Sequence, residues 1–429
     1  MLSHRNTPRA LCLTGLTGLI AVIALAGTPA LSVAADSKAA AGVTYYVDSR
    51  SGNNSNSGTS ATTPWKTLSK VNAAALNPGD TVAFRRGESW NGSLTLSRSG
   101  TAAAPITVTA YGDAAAPTPV IGGAVTNCVT VQGSYWTVTA LRATGCDWAG
   151  FEIRGSHNTL RSVTADRNVA GVSITEGAGF NTLRDSEMID NNKMSVNTPG
   201  GYDDSGAFGV LLNGDDNTVT GNRISGSRAE SYDYGYDGAA VEVYNGDRNR
   251  VEYNITRDNE TFTELGHDAG ETSDDNVFAY NAVTSVHESA AFLVTRGPED
   301  SLGPVKGTVA VNNSVSLPGE RTQGWVCYAG CAPDILMLRN NAVLVGGKTG
   351  YEDGTGADED HGVYYGAVTQ FEPGPHSVEA DPSFTSDTDL RLRPDSPAIA
   401  WGAPAGYAKD LDGTPVPATP DAGAYQFRP

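Results

Sequence analysis

The sequence predicts an all-β fold, a parallel β-helix in which short strands wind into stacked coils, and three observations predict it. Short runs of alternating apolar residues recur along the chain with almost no helical periodicity. Fifty Gly and abundant Asn, Ser and Thr supply tight turns between them. A sandwich or barrel could share both features, but an internal repeat separates the solenoid from them. Val129-Thr130-Val131-Gln132-Gly133 is followed 151 − 129 = 22 positions later by Phe151-Glu152-Ile153-Arg154-Gly155. Val172-Ser173-Ile174-Thr175, Val210-Leu211-Leu212-Asn213 and Val241-Glu242-Val243-Tyr244 continue the series.

Each coil carries Asn-rich corners. One series reads Asn158, Asn181, Asn217, Asn249 and Asn276; a second reads Asn168, Asn191, Asn222, Asn254, Asn281, Asn313 and Asn341. Asn tolerates a left-handed bend, and its amide can bond along a stack of identical neighbours. Strand alternation places Phe151 and Ile153, Val172 and Ile174, Val210 and Leu212, Val241 and Val243, and Phe292 and Val294 inside. Glu152, Ser173, Leu211, Glu242, Tyr244 and Thr295 then face outward.

Residues 1–35 precede the fold. His4, Arg5 and Arg9 lead into an apolar run from Leu11 to Ala26, and Val33-Ala34-Ala35 offers small residues for cleavage, the pattern of a secretory signal peptide. Export to the outside is expected, with no membrane contact after cleavage. Residues 36–429 are read as a single β-helix domain: an N-terminal cap and first coils at 44–123, central coils at 124–345, and a closing segment at 346–429. The stretch Pro64-Trp65-Lys66-Thr67-Leu68 is read as a short capping helix, since a solenoid needs its open end covered.

Cys12 leaves with the export segment, so Cys128, Cys146, Cys327 and Cys331 remain in an oxidising compartment. Cys128–Cys146 and Cys327–Cys331 are the favoured pairs, with four buried thiols as the alternative. No Cys/His cluster has zinc-ligand spacing, so no metal site is expected. The formal charge of −19 becomes −19 − 2 = −21 once Arg5 and Arg9 are removed. That sign excludes a nucleic-acid partner. It also disfavours an unaided grip on a polyanionic glycan, although bound calcium could invert the local field.

The opening block, the coils and the closing block together resemble the secreted right-handed parallel β-helix proteins of the pectate-lyase-like superfamily. The resemblance implies a right-handed coil and a carbohydrate ligand. It does not select the chemistry, because that group includes polysaccharide lyases, glycoside hydrolases and sugar epimerases. Asp203-Asp204 and Gly266-His267-Asp268 are similar to polygalacturonase motifs, but the flanking Asn-Thr-Asp and Arg-Ile-Lys motifs are missing. No Arg-x-Pro-x-x-Arg motif of pectate lyases is present, so no catalytic residue carries across.

The chemistry is instead expected between Asp237 and Arg296, where carboxylates crowd three successive rungs. Glycoside hydrolysis needs one carboxylic acid to protonate the leaving oxygen and a second carboxylate as nucleophile or base. Glu242 and Glu264 form the strongest pair, with Asp258 and Asp237 completing the acid/base set. In the preferred register Thr261, Thr263 and Leu265 point inward while Glu260, Phe262 and Glu264 face out, because a buried unpaired carboxylate is costlier than buried Thr. Tyr234, Tyr236 and Tyr244 offer aromatic surface for sugar rings, with His267, His287 and Arg296 as further substrate contacts. Tyr202-Asp203-Asp204 is placed along the same groove.

Elimination on a uronate would instead need a base among Lys193, Lys306, Arg257, Arg296, His267, His287 and Tyr244, and a cation to neutralise the uronate. No required cofactor is expected; calcium held by Asp203, Asp204, Asp274 and Asp275 is the option that would support this lyase alternative. A carbohydrate-binding solenoid without catalysis is the third class. Hydrolysis of a polysaccharide or oligosaccharide by a monomeric, secreted protein is the preferred expectation.

Overall fold

In the computed structural model, which describes residues 42–123 and 126–429, the alternating runs become strands of three long sheets. The first holds twelve strands from Thr44–Val47 to Asp358–Asp360, the second twelve from Ser89–Asn91 to Val378–Glu379, and the third eleven from Leu94–Leu96 to Val368–Gln370. One coil shows the path: Thr159–Arg161 in the first sheet, Thr164–Asp166 in the second and Ala170–Ile174 in the third, before Thr182–Arg184 begins the next coil. Each strand pairs in parallel with the strand one coil away, as in Val172 beside Phe151 and Val210. This is the right-handed parallel β-helix expected. The export segment read at 1–35 lies outside the described residues. Among the described residues no helix is long and apolar enough to cross a membrane.

Inside the coils, short strands leave little room per rung, so Val, Ile, Leu and Phe stack in columns. Phe151, Val172, Val210, Val241 and Leu265 are all fully buried in one continuous core. Alternation fails at one position of the third sheet. Gly150, Gly171 and Gly209 occupy it in early coils, Ala240, Phe262 and Phe292 in later ones. The strand bends there, and the position faces inward: a Cβ on Gly171 would come within 2.8 Å of Met188 Cγ and Asn191 Nδ2. Phe262 is therefore in the core, its ring 5.5 Å from Phe292 and 6.0 Å from Phe278, and not outward as the alternation suggested. The same bend turns Leu293 and Thr295 inward and Val294 outward. Thr263, Leu265 and Glu264 keep the expected register, although Thr263 Oγ1 finds no hydrogen-bond partner among the described residues.

The Asn series resolve into three ladders, one per corner. Asn158, Asn181, Asn217, Asn249 and Asn276 form the first, each backbone amide donating at 2.9 Å to the side-chain oxygen of the next Asn. Asn222, Asn254, Asn281, Asn313 and Asn341 form the second in the same way at 3.0 Å. Asn168 and Asn191 belong with Asn259 to a third corner, between the second and third sheets. Asn254 is fully buried and uses every polar atom: Oδ1 accepts from Asn222, and Nδ2 donates to Val219 O and Asn281 Oδ1. Asn254→Ala is expected to destabilise the fold by about 2 kcal/mol, since these partners stay buried unpaired; chemical denaturation measures it.

The ends differ in detail from the sequence reading. The capping helix is Leu68–Asn72, with Thr67 as its N-cap, while Trp65 bridges to Val47 in extended form. Leu68 and Val71 close the core. Coil strands continue to Val378–Glu379, and the tail does not plug the open end. Phe384, Leu390, Leu392, Ala398, Ala422 and Ala424 pack on Ala282, Ala342 and Val363, apolar residues on the flank of the second sheet. Both favoured cysteine pairs meet as disulfides, with Cα atoms 5.7 Å apart for Cys128–Cys146 and 5.4 Å for Cys327–Cys331.

Candidate active site

Two antiparallel hairpins rise from the corner before the third sheet. Met194–Val196 pairs with Ser205–Gly206, and Ala229–Ser231 pairs with Gly235–Asp237. Asp204 fastens them together, its carboxylate accepting from the Thr198 amide at 2.7 Å, the Ser231 hydroxyl at 2.8 Å and the Asp233 amide at 3.0 Å. They form one wall of a groove of about 740 Å³ whose floor is the third sheet and whose far side includes Leu302 and Tyr328.

Along the floor, Leu211, Glu242, Glu264, Val294 and Val326 stand in one outward column. Adjacent rungs lie about 4.8 Å apart, so Glu242 and Glu264 are immediate neighbours on the wall. Their surroundings differ. Glu264 is ion-paired with Arg296, which is buried, and both line the groove. Gly266 leaves this space open: a Cβ there would lie 3.4 Å from Leu302 and 3.7 Å from Arg296 Nη1. Burial opposes the Arg296 charge, but Glu264, Tyr328 and Asp300 outweigh it and raise the guanidinium pKa.

Glu242 makes no hydrogen bond or ion pair within the described residues. Burial first, then the charges of Glu264 and Asp237, push its carboxyl well above the ordinary range, with Arg296 opposing. Asp237, at the hairpin end, is pushed up to about 7 by burial and by Glu264, Asp204 and Glu260, while the Gly238 amide opposes. An acid that binds its proton more tightly folded than unfolded stabilises the fold at low pH and loses that contribution as pH rises. Thermal stability should therefore fall between the ordinary Asp value of 3.8 and about 7, and Asp237→Asn should flatten that slope.

The three tyrosines expected in the site all line it. Tyr234, Tyr236 and Tyr244 face the groove, joined by Tyr202 and Asp203 from the other hairpin. Tyr236 lies under the Arg228 guanidinium, 3.2 Å from its ring centroid, and Arg228 pairs with Glu260 at 2.6 Å. Tyr244 donates to Asp268 at 2.8 Å, and burial with that bond pushes its phenol up to about 12.

Three expected residues are elsewhere. Asp258 sits at a corner with a left-handed backbone, its carboxylate accepting from the Val286 amide at 3.0 Å, and does not reach the groove. His267 is buried with its ring nitrogens 2.8 and 3.1 Å from the carbonyls of Asp268 and Pro304, which fixes a loop. His287 lies at the same corner as Asp258, one coil further on, outside the groove lining. The four acids proposed for calcium also separate: Asp274 accepts from the Lys306 amide at 2.7 Å, while Asp203 and Asp204 cluster with Asp233 instead.

Glu260 faces the groove as expected, but sequence reasoning missed its ties to Arg228 and Ser289 and the apolar platform of Trp148, Phe208 and Leu211. It also missed Tyr328, which pairs in register with Arg296. Extending the rung repeat by one coil would have found it.

A β-helix with one acid-floored, aromatic-walled groove is the class that fold and site define. The Pel9A-like right-handed β-helix region matches residues 45–298, and the chain belongs to that family. Among solved structures it is similar to pectate lyase Pel9A, 18% identical, covering 91% of this chain and 97% of that one with a TM-score of 0.58. It is also similar to the GH136 lacto-N-biosidase from Eubacterium ramulus, 16% identical over 79% of this chain and 67% of that one, TM-score 0.53. A lacto-N-biosidase of Bifidobacterium longum subsp. longum is 37% identical over 144 residues, which is 32% of this chain and 9% of that protein.

Proposed function

We propose that the protein is a secreted glycoside hydrolase that cleaves a polysaccharide or oligosaccharide in this groove, with Glu242 as the proton donor and Glu264 as the partner carboxylate. The observation that carries the reading is the contrast between two adjacent acids. Glu242 is unpaired and driven toward its protonated form, while Glu264 is held against Arg296. Paired carboxylates whose surroundings push them apart divide the acid and base roles between them. Asp237, its carboxyl pushed up to about 7, completes the acid/base set at the groove edge.

Elimination fits the groove less well, because it needs a base that is free near neutral pH. Arg296 is charged and paired, and Tyr244 and Tyr328 are both pushed up to about 12 by burial. The lining also carries Asp203, Asp204, Asp237, Glu242, Glu260 and Glu264 against Arg296 alone, so a neutral glycan is favoured over a polyuronate. The disulfides accord with export. The resemblance to a lacto-N-biosidase over 144 residues supports hydrolysis without fixing the sugar. A panel of neutral and acidic glycans tests the reading. New reducing ends without the ultraviolet absorbance of an unsaturated uronate are expected; that absorbance would move the assignment to elimination.

A further inference from the structure

Far from the groove, the last strand of the first sheet, Asp358–Asp360, meets the loop 371–377 through a cluster of nitrogen and oxygen donors. Asp360 Oδ2 lies 2.9 Å from His376 Nδ1 and 3.4 Å from His361 Nδ1. Its other oxygen accepts from the backbone amides of His361 at 2.9 Å and His376 at 2.8 Å, which fixes the carboxylate and aims Oδ2 at both rings. All three donor atoms fall within 4.8 Å of one another. His361 Nδ1 is shut off from solvent and makes no hydrogen bond among the described residues, an orphan polar atom 3.4 Å from Asp360 Oδ2.

We infer that Asp360, His361 and His376 form a zinc site that fastens the last coil to the loop leading out of it. A tetrahedral ion with bonds near 2.0–2.1 Å has its ligand atoms roughly 3.3 Å apart, and the two Asp360–imidazole separations of 2.9 and 3.4 Å bracket that value. Two imidazoles and one carboxylate suit zinc and its neighbours in the transition series; calcium and magnesium prefer oxygen alone. The fourth position is left to water.

The His361 and His376 rings stack at 4.7 Å with 23° between planes, so one ring must turn for both lone pairs to reach one ion. His376, whose side chain is 62% exposed, is free to do so. On binding, each Nδ1 gives up its hydrogen and the neutral ring carries its proton on Nε2. The loop does not depend on the ion for its position. Glu359 accepts from the Gly374 amide at 2.8 Å and from the Ser377 hydroxyl at 2.7 Å, so removing an imidazole leaves the fold intact. His361 and His376 are distant from one another in sequence, which is why spacing alone hid the cluster.

Titration calorimetry of the tag-free chain with zinc chloride tests the site. One zinc per chain is expected, with His376→Ala and His361→Ala each weakening binding at least tenfold to a hundredfold, the scale of losing a supporting group around a metal. Asp233→Asn, in the other acid cluster, should leave binding unchanged, and excess magnesium or calcium should not compete. Absence of zinc binding by the wild-type chain, or undiminished binding in either histidine variant, overturns the assignment.

Discussion

Glu242→Gln is expected to lower glycan turnover by about 10³-fold, the middle of the range for losing a positioned general acid. Glycan binding and thermal stability should survive. The amide keeps the shape of the carboxyl and cannot donate a proton of the required acidity. Stability should hold, or rise at alkaline pH, because Glu242 has no partner to lose and its ionised form is disfavoured by burial and by Glu264 and Asp237. Rates measured alongside binding separate the readings: a binding solenoid would show no turnover to lose, and a purely structural Glu242 would show lost stability instead. Activity of the wild-type protein should fall on the alkaline side as Glu242 loses its proton, and Glu242→Gln should lack that limb.

Much of this site was legible in the sequence because register in a β-helix follows from the repeat. Aligning Val241-Glu242-Val243 with the next coil was enough to set Glu242 beside Glu264, and that pairing holds. Where the repeat bends, alternation misleads. Alternation puts Phe262 and Val294 on the wrong faces because a position filled by Gly150, Gly171 and Gly209 in earlier coils leaves no side chain to reveal that it faces inward. The corners were also harder than the strands. Asn168 and Asn222 look alike in sequence yet turn different corners, since loop length hides which sheet comes next. Asp258 and His267 sit near the rungs in sequence, but their carboxylate and ring are spent on backbone groups, a fate that residue type alone does not disclose.

Arg296→Met carries the second large effect, on stability and activity together. Arg296 is the cation set against Glu264 in the groove lining, and its charge opposes the upward shift at Glu242. Removing one partner of a buried pair typically costs 3–5 kcal/mol. Because Glu264 keeps some access to water, a loss of about 3 kcal/mol is expected here. Turnover should fall by about 10²-fold as Glu264 loses its orientation and the acids repel one another. Arg296→Lys should recover only part of either, since a single ammonium does not reproduce the planar fork. Denaturant titration and steady-state rates on the same preparations check both.

In the proposed mechanism Glu242, its carboxyl pushed well up by burial and by Glu264 and Asp237, keeps its proton at neutral pH beside its ion-paired neighbour. Infrared difference spectroscopy of wild-type protein against Glu242→Gln reads it directly. A protonated carboxyl carbonyl band present at pH 7 in the wild type and missing from the variant is the predicted result. No such band, with Glu242 contributing only to the carboxylate absorption, would overturn the assignment of Glu242 as the proton donor.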